Sequence, residues 1–89
     1  MAWQLRVARR VEKKLRRLPA KDQRLIRREL EKLAHDPRTA RLQPLQAQPT
    51  GYRLDAGNWR LMVDLHPDIL LADVSDLERR TTTTYRKRH

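Results

Sequence analysis

A chain of 89 residues has room for one domain and one core. At 38% hydrophobic and 4% aromatic content, with no Phe, that core must be aliphatic, with Trp3 and Trp59 as its two large pieces. A formal charge of +10, spread along the chain, excludes a disordered basic arm as its source and points to a polyanionic partner: nucleic acid, an anionic membrane or an acidic protein. The absence of cysteine removes disulfide and thiolate chemistry, and no apolar run approaches a transmembrane span or a signal-peptide core, so a soluble cytoplasmic protein is expected.

Residues Ala2 to Val7 alternate, with Trp3, Leu5 and Val7 on one side and Gln4 and Arg6 on the other. This is the pattern of a short strand near a sheet edge, where Arg6 stays wet. From Ala8 the period changes to three and four: Ala8, Val11, Leu15 and Leu18 form a stripe within a strongly basic helix that Pro19 stops. A second helix begins at Pro19 or Ala20, with Asp22 near its positive end and Leu25, Ile26, Leu30, Leu33 and Ala34 as its apolar face. It ends before Asp36-Pro37, because a residue preceding proline is pushed out of the helical region. The short link predicts a helical hairpin. Arg38 to Thr50 is expected to be a connector anchored by Leu42 and Leu45.

Gly51 to Leu65, GYRLDAGNWRLMVDL, has two alternating runs around Ala56-Gly57. That predicts a β-hairpin in which Leu54 opposes Trp59, Tyr52 opposes Leu61 and Arg53 opposes Arg60. Tyr52, Leu54, Trp59, Leu61, Val63 and Leu65 share one face, and Arg53 and Arg60 the other. Two guanidinium groups on an open face form a fork suited to phosphate. His66-Pro67-Asp68 is a turn, and Ile69 to Leu77 is expected to be a strand covered on both faces at its apolar start. The tail, Glu78 to His89, is basic and β-prone at its threonines. Strand, helix, helix and a three-stranded meander give an α+β domain over residues 1–89, with a helical hairpin on one face of a small curved, mainly antiparallel sheet.

Much chemistry is missing from this pattern. His35, His66 and His89 have no metal-ligand spacing, and Gly51 and Gly57 cannot make a phosphate loop. What remains is a basic and aromatic set: Arg53, Arg60, Arg79, Arg80, Tyr85 and Arg86. Arginine can stabilise a developing phosphorane charge but is a poor proton shuttle. Tyr85 can stack on a base or relay a proton.

Several stretches resemble the RelE/ParE toxin superfamily. They are the opening that ends Leu15-Arg16-Arg17-Leu18-Pro19, then Leu33-Ala34-His35-Asp36-Pro37, Tyr52-Arg53-Leu54, Gly57-Asn58-Trp59-Arg60-Leu61, and a late arginine followed by Tyr85. In order and spacing they are similar to that family's YRL-x-x-G-x-(Y/W)-R-(L/V) pattern over nearly the whole chain. The resemblance implies a toxin of a bacterial type II toxin–antitoxin pair, and in the RelE-like branch a cofactor-free, metal-independent endonuclease of messenger RNA on the ribosome. By position, Arg60 would hold the scissile phosphate, with Arg53 in place of a lysine. Arg79, or its neighbour Arg80, would assist the leaving group, and Tyr85 would orient or stack on the substrate base. Arg80, Arg86, Lys87 and Asp55 would complete the RNA-contacting set. Two positions depart from the pattern: Asp55, where many relatives carry a basic residue, and Glu78, where His or Lys is frequent. Asp55 is left with two roles, proton acceptor or ion-pair partner of an arginine. The resemblance also implies an acidic antitoxin as partner, in a hetero-oligomer that binds operator DNA through the antitoxin. Two alternatives share the fold: a ParE-like inhibitor of DNA gyrase, and an inactive member that only binds its antitoxin.

Overall fold

The computed structural model describes residues 2–45 and 50–80. Strand β1 (Gln4–Val7) leads into α1 (Arg9–Arg16) and α2 (Ala20–His35); β2 (Leu42–Pro44), β3 (Gly51–Ala56), β4 (Trp59–His66) and β5 (Leu71–Arg79) follow. The strands make one sheet in the order β1-β5-β4-β3-β2. Only β1 and β5 run parallel; the other pairs are antiparallel. Both helices cover one face. Val11 and Leu15 of α1 and Ile26, Leu30 and Leu33 of α2 interlock with Leu54, Leu61, Val63, Val74 and Leu77. The core is aliphatic, as the composition requires. Trp3 and Trp59 pack at its margin and neither is fully buried.

Between the helices, the Gln23 side chain donates to Leu18 O at 2.8 Å and fixes the link at Leu18-Pro19. Past α2, Asp36 caps a 3-10 turn (Pro37–Thr39) by accepting from Arg38 N at 3.0 Å, and the Arg38 guanidinium returns to the same carboxylate.

Four sequence expectations need correction. The connector holds a strand, β2, in which Leu42, Gln43 and Pro44 face Leu54, Arg53 and Tyr52. Proline is tolerated there because β2 is an edge. The central hairpin turns at Gly57-Asn58 and not at Ala56-Gly57. The actual pairs are therefore Leu54 with Leu61, Ala56 with Trp59, and Asp55, not Arg53, with Arg60. Gly57, at φ 61°, fills the first loop position, where a type II′ turn takes glycine. The expected register is off by two residues, so each side chain keeps its face. Finally, β5 starts at Leu71. A 3-10 turn over Pro67–Ile69 ends with Leu70 in the left-handed region (φ 51°), which prevents extension earlier and leaves Ile69 and Leu70 exposed.

Strand β5 carries a bulge. Met62 pairs with Asp76 but Val63 pairs with Val74, leaving Ser75 as the extra residue. Here β1 has also ended, since its pairing stops at Val74. Helix α1 takes over the bare edge: Arg10 Nε donates to Ser75 O and Lys14 Nζ to Leu77 O, each at 3.0 Å. Side chains thereby satisfy carbonyls that an open edge would offer to another strand.

Lys14 also bonds Asp76 Oδ1 at 3.0 Å, and with the Leu77 amide it holds the Asp76 carboxyl below the usual carboxylate range. Arg38 does the same for Asp36 through its side chain and its backbone amide. A carboxyl whose pKa is lower folded than unfolded stabilises the fold above its unfolded value, near 4, and that contribution fades as the pH falls through the folded value. Stability should therefore decline with acid below about pH 4. Lys14→Met should remove the larger part of the Asp76 share of that decline, leaving the part due to the Leu77 amide, and cost on the order of 0.5 kcal/mol at neutral pH. Urea midpoints measured between about pH 2 and pH 7 test this; an acid decline as steep in Lys14→Met as in the parent would refute the assignment.

Candidate functional site

The helices leave the other face of the sheet open, and alternation decides what stands on it. Leu54, Leu61 and Leu77 point into the core, so Arg53, Asp55, Arg60, Met62 and Glu78 stand on the open side, with Gln43 beside Arg53 and Glu78 beside Arg60. At its centre is a compact group. The Asp55 carboxylate lies directly across from Arg60 and two residues after Arg53; its Oδ1 is 3.5 Å from both Nε atoms. These are ion pairs without hydrogen bonds. All three atoms are shielded from solvent and lack a hydrogen-bond partner among the described residues. The three side chains are mostly covered, at 28%, 22% and 30% exposed for Arg53, Asp55 and Arg60, so their charges are screened less than those of free surface groups. Gln43 Oε1 accepts from Arg53 Nη2 and steadies that guanidinium from the edge strand.

Arg79 and Arg80 diverge. Arg79 pairs in register with Trp59 on the helix side, its guanidinium carbon 5.7 Å from the indole centroid. Arg80 follows on the open side. Its amide donates to Asn58 O at 2.8 Å and its Nη1 to Gly57 O at 3.1 Å, so it is tied to the hairpin turn. The bulge at Ser75 causes this division. Uninterrupted alternation from Val74 would have put Arg79 outward; one extra residue reverses the phase, as the three-residue step from Val74 to Leu77 records. Arg79 as a phosphate-side residue is thus corrected on geometry, and Arg80 shares the face of Arg53 and Arg60. Tyr85, Arg86 and Lys87 lie outside the described residues. Gln43 escaped sequence reasoning, because a three-residue strand containing proline gives no readable period.

Charge is distributed in layers. The helical segment, residues 8–35, holds eleven Lys and Arg against four Asp and Glu, a net +7, and all eleven cations are exposed. Residues 2–7 and 36–80, which supply the sheet, hold seven of each sign and sum to zero. Arg86, Lys87 and Arg88 supply the remaining three charges. The segments that supply the sheet are therefore charge-balanced as a whole, and the open face has one arginine pair at its centre. A separate hollow of about 520 Å³, lined by Trp3, His35, Leu65 and Pro67 among others, lies at the far end of β4 and includes none of these arginines.

No protein-family model and no curated protein matches the chain. Solved structures do. An archaeal RelE–RelB complex from Pyrococcus horikoshii OT3 superposes with a TM-score of 0.80 at 18% identity, covering 92% of this chain and 99% of that one. The isolated E. coli RelE toxin gives 0.78 at 17% identity, over 98% and 95% of the two chains. The chain has the RelE toxin fold. The toxin–antitoxin complex RelBE2 of Mycobacterium tuberculosis also aligns, with a TM-score of 0.75 at 14% identity over 90% of this chain and 93% of that one. At such identities the RelE likeness is one of architecture: two helices on a five-stranded mixed sheet, with the opposite sheet face open.

Proposed function

We propose that this chain is the toxin of a type II toxin–antitoxin pair, a cytoplasmic, metal-independent endonuclease that cuts messenger RNA on the ribosome. The observation that carries this reading is the Arg53–Arg60 pair, mostly covered by its surroundings, at the centre of the uncovered face of a RelE fold. A phosphodiester seated between the two guanidinium groups receives two charged donors of matching geometry. In the reaction, the ribose 2′-oxygen attacks the adjacent phosphorus and the 5′-oxygen departs. Charge accumulates on the equatorial oxygens, where fixed cations stabilise it more than they stabilise the ground state. Arg53 and Arg60 fill that role, and Arg80, tethered to the turn, stands by the departing oxygen. Guanidinium groups stay protonated, so proton transfer falls to another group; Tyr85 is assigned to that task or to stacking on the base. Folded neighbours that are complexes with RelB support an antitoxin as the partner of this chain.

Mapping transcript 5′ ends by primer extension after induction tests the reading. New ends confined to translated frames, and lost when initiation is blocked, are expected. Intact messenger RNA with induced DNA damage would instead select a gyrase inhibitor, and intact messenger RNA without damage a member that only binds its antitoxin.

A further inference from the structure

The Asp55 carboxylate stands between the two guanidinium groups, 3.5 Å from each Nε. We propose that Asp55 is a built-in counter-ion for the arginine pair: in the free protein it occupies the phosphate position, and an incoming phosphodiester must displace it. Asp55 is thus the residue that sets how strongly the face holds an anion. This rests on the reading above only in taking phosphate as the ligand.

Three observations carry it. Oδ1 is the same distance, 3.5 Å, from Arg53 Nε and Arg60 Nε, so one oxygen is shared between the guanidinium groups as a non-bridging phosphate oxygen would be. The fit is incomplete: that oxygen and both nitrogens are shielded from water yet form no hydrogen bond among the described residues. A carboxylate on a short stem fixed to β3 neutralises the pair without satisfying its donors. A phosphate, free to settle between them, can accept from both. Moreover, the seat does not rest on Asp55 alone. Gln43 holds the Arg53 head, and pairing on both sides within the sheet fixes the backbone of Arg60, whose guanidinium pairs with Asp55. Removing the carboxylate charge should leave the seat standing and empty. Glu78, the other carboxylate in this row, lies across from Arg60 but is exposed and makes no ion pair among the described residues, so the counter-ion of the pair is Asp55.

The roles of counter-ion and proton acceptor predict different behaviour for Asp55→Asn, which keeps the shape and removes the charge. Binding is read by fluorescence anisotropy with a 2′-O-methyl RNA oligonucleotide, which cannot be cut, and by thermal shift with inorganic phosphate. Asp64→Asn, on the same face but opposite Gly51, is the control. Asp55→Asn should bind the oligonucleotide about tenfold more tightly than the parent, since a competing charge-assisted contact is gone. Asp64→Asn should stay within about twofold. Asp55→Ser guards against a variant that fails to fold and should behave alike. Equal binding by Asp55→Asn and Asp64→Asn would overturn the proposal. So would tighter binding with loss of growth arrest, because Asp55 would then be the proton acceptor. Stabilisation of Asp55→Asn by phosphate, with no affinity for the oligonucleotide in any variant, would uphold the counter-ion and reject the RNA reading.

Discussion

Arg60→Ala should release expressing cells from growth arrest and lower messenger RNA cleavage by about 10²–10³-fold, the usual cost of removing one fixed stabiliser of transition-state charge. The protein should still fold. Arg60 lies on the open face away from the core, and its loss leaves Asp55 paired with Arg53. The same experiment separates the two late arginines. Arg80→Ala, on the open face, should weaken cleavage, whereas Arg79→Ala should keep it and lose only the contact with Trp59, worth about 0.5–1 kcal/mol of stability. Transcript-end mapping and thermal denaturation of all three variants decide the matter. Undiminished toxicity of Arg60→Ala would refute the assigned role, as would an Arg79→Ala variant that folds normally and no longer cuts.

The largest structural effect is expected at the turn. A Cβ on Gly57 would lie 2.6 Å from Leu25 Cδ2, and the backbone there sits at φ 61°, a region that side chains other than glycine's disfavour. Gly57→Ala should therefore cost about 2–3 kcal/mol. For a domain of this size that lowers the midpoint by roughly 10–20 °C. The two causes can be separated. In a Leu25→Ala background the steric part disappears and the conformational part stays, so the substitutions should couple by on the order of 1 kcal/mol. Strict additivity in a double-mutant cycle would show that the turn does not press on α2.

How far the residues foretold this molecule depends on what fixed each feature. Both helices were legible because Val11, Leu15, Ile26, Leu30 and Leu33 repeat at helical spacing and prolines mark the ends. The assignment of Arg53 and Arg60 to one open face was equally legible. A period of two survives any even slip, so the wrong register still returned the right side. The register itself depended on which pair of residues turns the hairpin, and Gly57 is shared by both candidates. β2 was invisible because three residues beside a proline become a strand only when β3 lies alongside. Ile69 and Leu70 were misassigned because apolar character speaks for burial only where the backbone can extend. The separation of Arg79 from Arg80 hangs on one inserted residue. Its trace, Val74 to Leu77, is a single odd step that alternation alone cannot weigh. Total charge located least: +10 pointed to a polyanionic partner, yet net charge says nothing about which side of a sheet its carriers occupy.

The layering of that charge has a mechanical result. A neutral slab with +7 fixed to one side is an electric dipole as well as a cation. Near an extended anion such a body experiences a torque before it makes contact and rotates until its helices lead.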